Sequence, residues 1–360
     1  MRISNVRTIM IELPGKDWII RPEIKSFGCV LVFVDTDEGI TGETFLWTFG
    51  KKRLAVLSKM VESLKDDVLN EDPYNTERIW QKLWFELRFF GVEGISIYGI
   101  SAIDRACWDI IGKAEGKPLY KLLGGYRDEV PVYGSGLWLQ LSIDELRERA
   151  KTFVKKGYRA IKMRIGKPRI EEDIERIKAV REVIGQDISL MVDANQRLTI
   201  EHAIKLGRKL EKFNITWFEE PLPAYDLEGS ARVAAALDIP IANGENIFTR
   251  YGFRRMLEIR AADILMPDLI RVGGITEFRK VANLAEAYNL PITPHLFPEE
   301  SMHLVGSNPI CIYVEDINWF SELYVEKINI KNGSIILPNR PGFGFTFNQN
   351  IIERFSIQNI

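Results

Sequence analysis

Three short apolar runs in this chain each lead into a carboxylate: Met191-Val192-Asp193-Ala194-Asn195, Trp217-Phe218-Glu219-Glu220-Pro221 and Ile241-Ala242-Asn243-Gly244-Glu245. Asp193 and Glu219 are 26 residues apart, and so are Glu219 and Glu245. A strand with a returning helix fills that interval, so three successive parallel strands would present these acids at one end of a sheet. Like charges in a shared site repel, and three carboxylates stay ionised together only around a cation. Oxygen ligands of this kind suit a hard dication, Mg²⁺ by default. Any one of the acids could instead cap a helix, but two of the three are Glu, a poor N-cap, and capping does not call for equal spacing.

The elements that must position these acids run from Val130 onward as strand then helix, repeated. The expected strands are Val130–Tyr133, Ala160–Arg164, Ile188–Asp193, Thr216–Glu219, Ile239–Ala242, Ala262–Leu265, Pro291–Thr293 and Cys311–Val314. Helix-sized segments such as Ser142–Lys156, Ile170–Ile184, Thr199–Phe213 and Thr276–Asn289 lie between them. Eight parallel strands with intervening helices make an α/β fold of the β/α (TIM) barrel type, closed by a less regular last helix. An open doubly wound sheet is the alternative, but it gathers its site at one switch point, whereas acids here recur on consecutive strands.

Active sites in such barrels lie at the C-terminal strand ends. The second strand supplies Lys162 and Arg164, alternate residues on one side. The third to fifth give Asp193, Glu219 and Glu245, with Asn195 just after the first. The sixth ends in Met266-Pro267-Asp268, the seventh in Thr293-Pro294-His295 and the eighth in Val314-Glu315. His202 and His303 fall in helical segments and read as surface or satisfied core residues; His295 falls where catalytic groups belong. Asp268, on the neighbouring strand, can bond its imidazole, fix the tautomer and raise its basicity. This set suits proton removal next to a carboxylate. A dication on the substrate carboxylate, cationic Lys162 and an acid hydrogen bond from Glu315 would stabilise the enolate, with His295 as base.

Ahead of the barrel, residues 2–13, 28–36 and about 40–45 read as antiparallel strands, with a turn at Asp35–Gly39. Two loops flank them, one holding Trp18 and one, Leu46–Gly50, holding Trp47. Aromatic residues there serve either as packing or as pocket walls. Helices follow from Pro73 to about Phe89 and from Gly94 to Gly116, the second with Ile97, Ile100, Ile103, Cys107, Ile110 and Ile111 at helical spacing. After the last barrel strand, Tyr324–Ile330 and Ile335–Leu337 read as a hairpin, and the tail is expected to return to the N-terminal part. The expected division is 1–125 for an α+β capping domain, 126–320 for the barrel and 321–360 for a segment that rejoins the cap. With a net charge of −2 and no basic run, nothing points to nucleic acid; the apolar runs are strand-sized, which argues against a membrane. Three scattered cysteines and no signal-peptide core point to the cytoplasm.

The same residues carry a resemblance. Ser101–Asp109, Gly112–Gly125, Lys162-Met163-Arg164, Val192–Gln196, Phe218–Pro221, Gly244-Glu245, Pro267-Asp268 and His295 together resemble the enolase superfamily, specifically the mandelate racemase-like subgroup, over essentially the whole chain. The resemblance implies a capping domain formed by both termini over a modified barrel. It implies Mg²⁺ on Asp193, Glu219 and Glu245, an Asp268–His295 dyad, an electrophilic Glu315 and a homo-oligomer. It also implies that the two N-terminal loops are specificity lids with Trp18 and Trp47 as pocket walls.

One departure decides between reactions. Racemases of the family carry a second lysine where this chain has Arg164. A two-base route needs a base on each face of the substrate, and arginine keeps its proton at physiological pH. Lys162 resembles the substrate-binding lysine, which leaves His295 as the single competent base. The position of a second histidine in some relatives is Asn195 here, free to contact the metal, its waters or the substrate. A one-base site suits β-elimination. The expected activity is Mg²⁺-dependent dehydration of an aldonate such as gluconate, galactonate, arabinonate or rhamnonate to a 2-keto-3-deoxy acid. Diacids are less favoured. A racemase or epimerase, and a catalytically silent sugar-acid-binding protein, are the rival readings.

Overall fold

The computed structural model describes residues 1–15 and 24–357. The chain opens with an antiparallel meander, β1 (Ile3–Pro14), β2 (Ser26–Thr36) and β3 (Thr41–Phe49), with β2 in the middle and buried along nearly its whole length. Helices α1 (Leu54–Ser63), α2 (Lys65–Val68), α3 (Thr76–Leu87), α4 (Ile95–Ala114) and α5 (Leu119–Leu122) follow. Helix α4 is apolar on most of its circumference, the pattern of a helix covered on all sides, and it lies between the meander and the next domain. Four of its polar residues find partners across that junction. Ser101 donates to the Leu269 carbonyl at 2.7 Å, Trp108 Nε1 to Thr276 Oγ1 at 2.9 Å, and Arg105 to both oxygens of Glu300 at 3.2 and 3.1 Å. Asp104 accepts from the Thr276 amide at 3.0 Å. Gly274 makes that approach possible: its φ is +93°, and a Cβ there would lie 2.4 Å from the Asp104 carboxylate.

The barrel comprises β4 (Glu129–Leu137), α6 (Ile143–Lys155), β5 (Ala160–Arg164), α7 (Ile170–Ile184), β6 (Ser189–Asp193), α8 (Ile200–Leu210), β7 (Ile215–Glu219), α9 (Leu227–Ala236), β8 (Ile241–Asn243), α10 (Thr249–Glu258), β9 (Ile264–Leu265), α11 (Leu269–Val272), α12 (Ile275–Ala287), α13 (Pro298–Ser307) and β10 (Val314–Asp316). Parallel pairing runs from β4 through β9, continues by bridges Leu265–Ile292 and Ile292–Cys311, and returns as β10 pairs with β4. The ring is therefore closed. The expected seventh strand, Pro291–Thr293, contributes a bridge at Ile292 rather than a strand. Pro291 and Pro294 flank that residue and have no N–H to donate, so a longer ladder cannot form. Among the described residues, the only helical segment between β10 and the next strand is a three-residue turn at Ser321–Leu323.

Strand alternation sets the interior. Tyr133, Ala160, Met191, Trp217, Ala242, Ile264 and Met266 form a separate apolar cluster that fills the barrel. Two residues further along the same inward-facing rows stand Lys162, Asp193, Glu219 and Asp268. These four rows thus have an apolar floor and a charged upper rim.

The C-terminal segment differs from expectation in its first part. Hairpin β11 (Ile330–Lys331) and β12 (Ser334–Ile336) adds antiparallel to β4 at Glu129–Pro131, at the N-terminal end of the first barrel strand. The chain then runs to α14 (Gln349–Phe355) and reaches β1, where Ile357 N–H donates to the Met10 carbonyl at 2.9 Å. The three cysteines are free and buried. No described helix is long and apolar enough to cross a membrane.

Candidate active site

The pairing registers bring the acids together. Arg164 lies beside Asp193 across β5 and β6, and Asp193 beside Glu219 across β6 and β7. Glu245 stands just past the end of β8, turned in by Gly244, whose φ is +135° and where a Cβ would meet Phe253 at 2.7 Å. One ligand atom from each of Asp193, Glu219 and Glu245 lies within 4.8 Å of the others, and all three residues are buried. Their orientations are fixed from behind. Trp217 Nε1 donates to Glu219 Oε2 at 3.0 Å, the Asn195 amide to Asp193 Oδ1 at 2.7 Å, and Asn246 Nδ2 to Glu245 Oε1 at 3.3 Å. Such outer partners are what hold metal ligands in one rotamer.

Lys162 Nζ lies 2.6 Å from Glu219, 2.9 Å from Glu315 and 3.5 Å from Asp193, and Arg164 pairs with Asp193. The carboxylates Asp193, Glu219, Glu245 and Glu315 therefore face Lys162 and Arg164, which leaves two negative charges uncompensated. One dication cancels them, and an all-oxygen donor set with orienting second partners fits Mg²⁺. The excess charge is visible in the site: burial and the adjacent Asp193 push the Glu219 carboxyl well above the usual range. Burial opposes the charge on Lys162, but Glu219 and Glu315 outweigh it and hold the ammonium protonated. Arg164 behaves likewise, held charged by Asp193 and Glu245 against burial.

His295 Nδ1 lies 2.8 Å from Asp268 Oδ2, and its Nε2 lies 3.3 Å from Glu245 Oε2 and 3.9 Å from Glu315 Oε2. Asp268 caps α11: its Oδ1 accepts the amides of Ile270 at 2.9 Å and Arg271 at 3.0 Å. An ionised Asp268 accepts at Oδ2 as well, so Nδ1 carries the proton and Nε2 offers its lone pair toward the triad. Burial lowers the imidazole's proton affinity, but Glu245 and Asp268 together overcome it, and the net shift is upward. Asp268 stays ionised despite burial because Arg271 and His295 face it.

Glu315, expected as a hydrogen-bond donor to the substrate, faces cations here. Burial would protonate it, but Lys162 and His295 hold it down to about 2. It accepts from Lys162 and, at 3.2 Å, from the Leu296 amide. As an ion-pair partner it can donate only after taking up a proton.

A cavity of about 1060 Å³ opens above this group, and its wall includes Arg164, Asn195, Glu245 and His295. Asn195, in the left-handed region at φ +46°, projects at the rim of β6, and Trp47 forms part of the cap-side wall. Trp18 lies outside the described residues. The sequence reading missed Trp319, Arg271, Lys167 and Arg197, which also line the cavity. The last three stand two or three residues beyond Asp268, Arg164 and Asn195, so extending each strand end into its loop finds them. Trp319 stacks on Trp138 and Phe27 and has no comparable sequence signal.

Comparison with known proteins gives this arrangement its family. Residues 20–124 match the mandelate racemase/muconate lactonizing enzyme N-terminal domain, and 145–351 match the enolase C-terminal domain-like family. The chain belongs to the mandelate racemase/muconate lactonizing enzyme family of the enolase superfamily. It is 36% identical to arabinonate dehydratase from Saccharolobus solfataricus, with 89% of each chain covered. It is 36% identical to 3,6-anhydro-alpha-L-galactonate cycloisomerase from Streptomyces coelicolor, with 99% of each covered. L-Talarate dehydratase from Polaromonas, solved with Mg and L-glucarate, superposes with a TM-score of 0.92 at 35% identity, covering 99% of this chain and 98% of that one.

Proposed function

We propose that this protein is a Mg²⁺-dependent hydro-lyase that dehydrates a sugar acid, in the first instance an aldonate, to a 2-keto-3-deoxy acid. The observation that carries the reading is the single competent base. His295 Nε2 faces the carboxylate triad and is backed by Asp268, while the position opposite is Arg164, bound to Asp193 and unable to give up its proton. The arabinonate dehydratase relative supports the same reading.

Mg²⁺ would be held by Asp193, Glu219 and Glu245, where it supplies Lewis-acid stabilisation of negative charge on the substrate carboxylate. Lys162 turns its ammonium from Glu315 to that carboxylate. His295 Nε2 removes the α-proton, and Asp268 keeps the other nitrogen protonated and stabilises the imidazolium that forms. Glu315, released from Lys162 as substrate binds, takes up a proton from solvent and donates a hydrogen bond to the enolate. The β-hydroxyl then leaves with the proton returned by His295, water departs, and the resulting enol tautomerises to the 2-keto acid. Arg164 neutralises Asp193 and borders the cavity.

The test is a screen of the purified protein with Mg²⁺ against aldonic and aldaric acids, detecting 2-keto acid as its semicarbazone, with His295→Asn as control. Keto acid from one or a few aldonates, absent in the variant, supports the reading. Exchange of an α-proton with inversion and no loss of water would establish a racemase instead. We further infer a homo-oligomer, supported by the exposure of neighbouring Phe85, Phe89 and Phe90 on the cap, and light scattering after gel filtration tests it.

A further inference from the structure

Arg271 was not singled out by any motif, yet it touches both halves of the catalytic group. Its Nη1 donates to the backbone carbonyl of Glu245 at 3.2 Å and lies 3.3 Å from Asp268 Oδ2, the oxygen that also holds His295. Its amide donates to Asp268 Oδ1 at 3.0 Å. The side chain is mostly buried and separates the active-site cavity from a second cavity of about 480 Å³ between cap and barrel. From the cap side, Tyr98 shares the wall of that second cavity with Arg271, and the guanidinium's charge acts on its phenol. Tyr98 stands on α4 and stacks on Phe248, which directly precedes α10.

We propose that Arg271 is a positioning residue that locks the Glu245 loop and the Asp268–His295 pair into one geometry, with Tyr98 linking that lock to the cap. Glu245 lies on a glycine-hinged turn past the end of its strand, so its carboxylate direction is not set by sheet pairing. The guanidinium ties that turn to Asp268 on the next strand. Both contacts come from Nη1, whose two N–H bonds are fixed in the plane of the guanidinium; a lysine ammonium keeps the charge but rotates freely and does not fix those directions. The inference rests on the reading of Glu245 as a metal ligand and His295 as the base.

The experiment compares wild type with Arg271→Lys, Arg271→Met and Tyr98→Phe. Two readouts need no substrate. Mg²⁺ affinity is measured by calorimetry, and the His295 Nδ1 proton is followed by NMR in histidine-labelled protein, where three histidines keep the spectrum simple and His295→Asn assigns the signal. Arg271→Lys is expected to weaken Mg²⁺ binding by about 10-fold, the low end for loss of an outer partner of a metal ligand, and to shift and broaden the His295 signal. With substrate, kcat falls by more than KM rises. Tyr98→Phe shifts the same readouts in the same direction by a smaller factor, and it carries the test if the Arg271 variants do not fold. A Mg²⁺ affinity within twofold of wild type and an unmoved His295 signal in the folded variants would overturn the proposal. If wild type makes no keto acid from any sugar acid, the dehydratase reading fails while these two readouts still decide the role of Arg271.

Discussion

Replacing Asp268 with Asn separates the chemistry of the dyad from its structural duty. One oxygen of Asp268 caps α11 through the amides of Ile270 and Arg271; the other bonds His295 Nδ1 at 2.8 Å. Asn is as good an N-cap as Asp, so its carbonyl oxygen stays at the cap, and its NH₂ must then face His295. The opposite orientation would set that NH₂ against two backbone amides. With a donor facing it, Nδ1 has to accept, and the imidazole proton moves to Nε2, the atom that must take the substrate proton. Loss of tautomer control of this kind lowers kcat by about 10⁴, or roughly 5.5 kcal/mol of barrier. The structural cost is far smaller. Arg271 loses its carboxylate but keeps the Glu245 carbonyl and some solvent exposure, so stability should fall by about 1–2 kcal/mol. The assay pairs urea unfolding with steady-state keto acid formation on the substrate the screen identifies. A folded Asp268→Asn enzyme that retains more than a tenth of wild-type kcat would refute the reasoning.

Three further outcomes are expected. Trp217→Phe removes the donor to Glu219 Oε2 while conserving most of the barrel floor, and should weaken Mg²⁺ binding about 10-fold by calorimetry. His303 is buried with Nδ1 accepting from the Tyr120 amide and Nε2 donating to the Phe343 carbonyl, which leaves no room for a second proton; burial lowers it from 6.5 to about 4. The unfolded chain therefore binds the extra proton first, and the stability from this residue, roughly 3 kcal/mol, is present above pH 6.5 and lost as pH falls toward 4. His303→Gln should flatten that part of the urea-unfolding profile. Arg105→Ala leaves Glu300 buried without its ion pair and should cost about 3–5 kcal/mol in the same assay.

Most of the barrel was legible because its strands carry two signals at once. Ala160/Lys162/Arg164, Met191/Asp193 and Trp217/Glu219 each place an apolar residue and then a charge on one inward row, which both sets the strand period and marks its catalytic end. The seventh strand was overread because the apolar Ile292 fits a strand while the prolines around it limit the ladder to a bridge. The hairpin near residue 333 was visible as a turn, but its docking on β4 depends on an edge supplied some 200 residues earlier in the chain, which no local pattern encodes. In the site, the charged strand ends were readable from type and position. Arg271 was not, because its importance comes from two contacts across a turn, and the Lys162–Glu315 contact is a matter of distance alone.

The way α4 is held has a bearing on how a substrate gets in. Lifting the cap from the barrel would exchange the bonds made by Asp104, Arg105, Ser101 and Trp108 for bonds to water and would wet the apolar face that α4 buries. At about 0.5–1.5 kcal/mol net for each of the two neutral bonds and about 1.5–3 for each of the two charged ones, a gaping state costs on the order of 6 kcal/mol before apolar area is counted, and fewer than roughly one molecule in 10⁴ would be found in it. The domains therefore do not work as a jaw. Among the described residues, Trp47, Phe49 and Trp319 border the cavity away from its charged floor. A frame held in this way would let that border be refitted for a different sugar while the reacting groups behind it stay where they are.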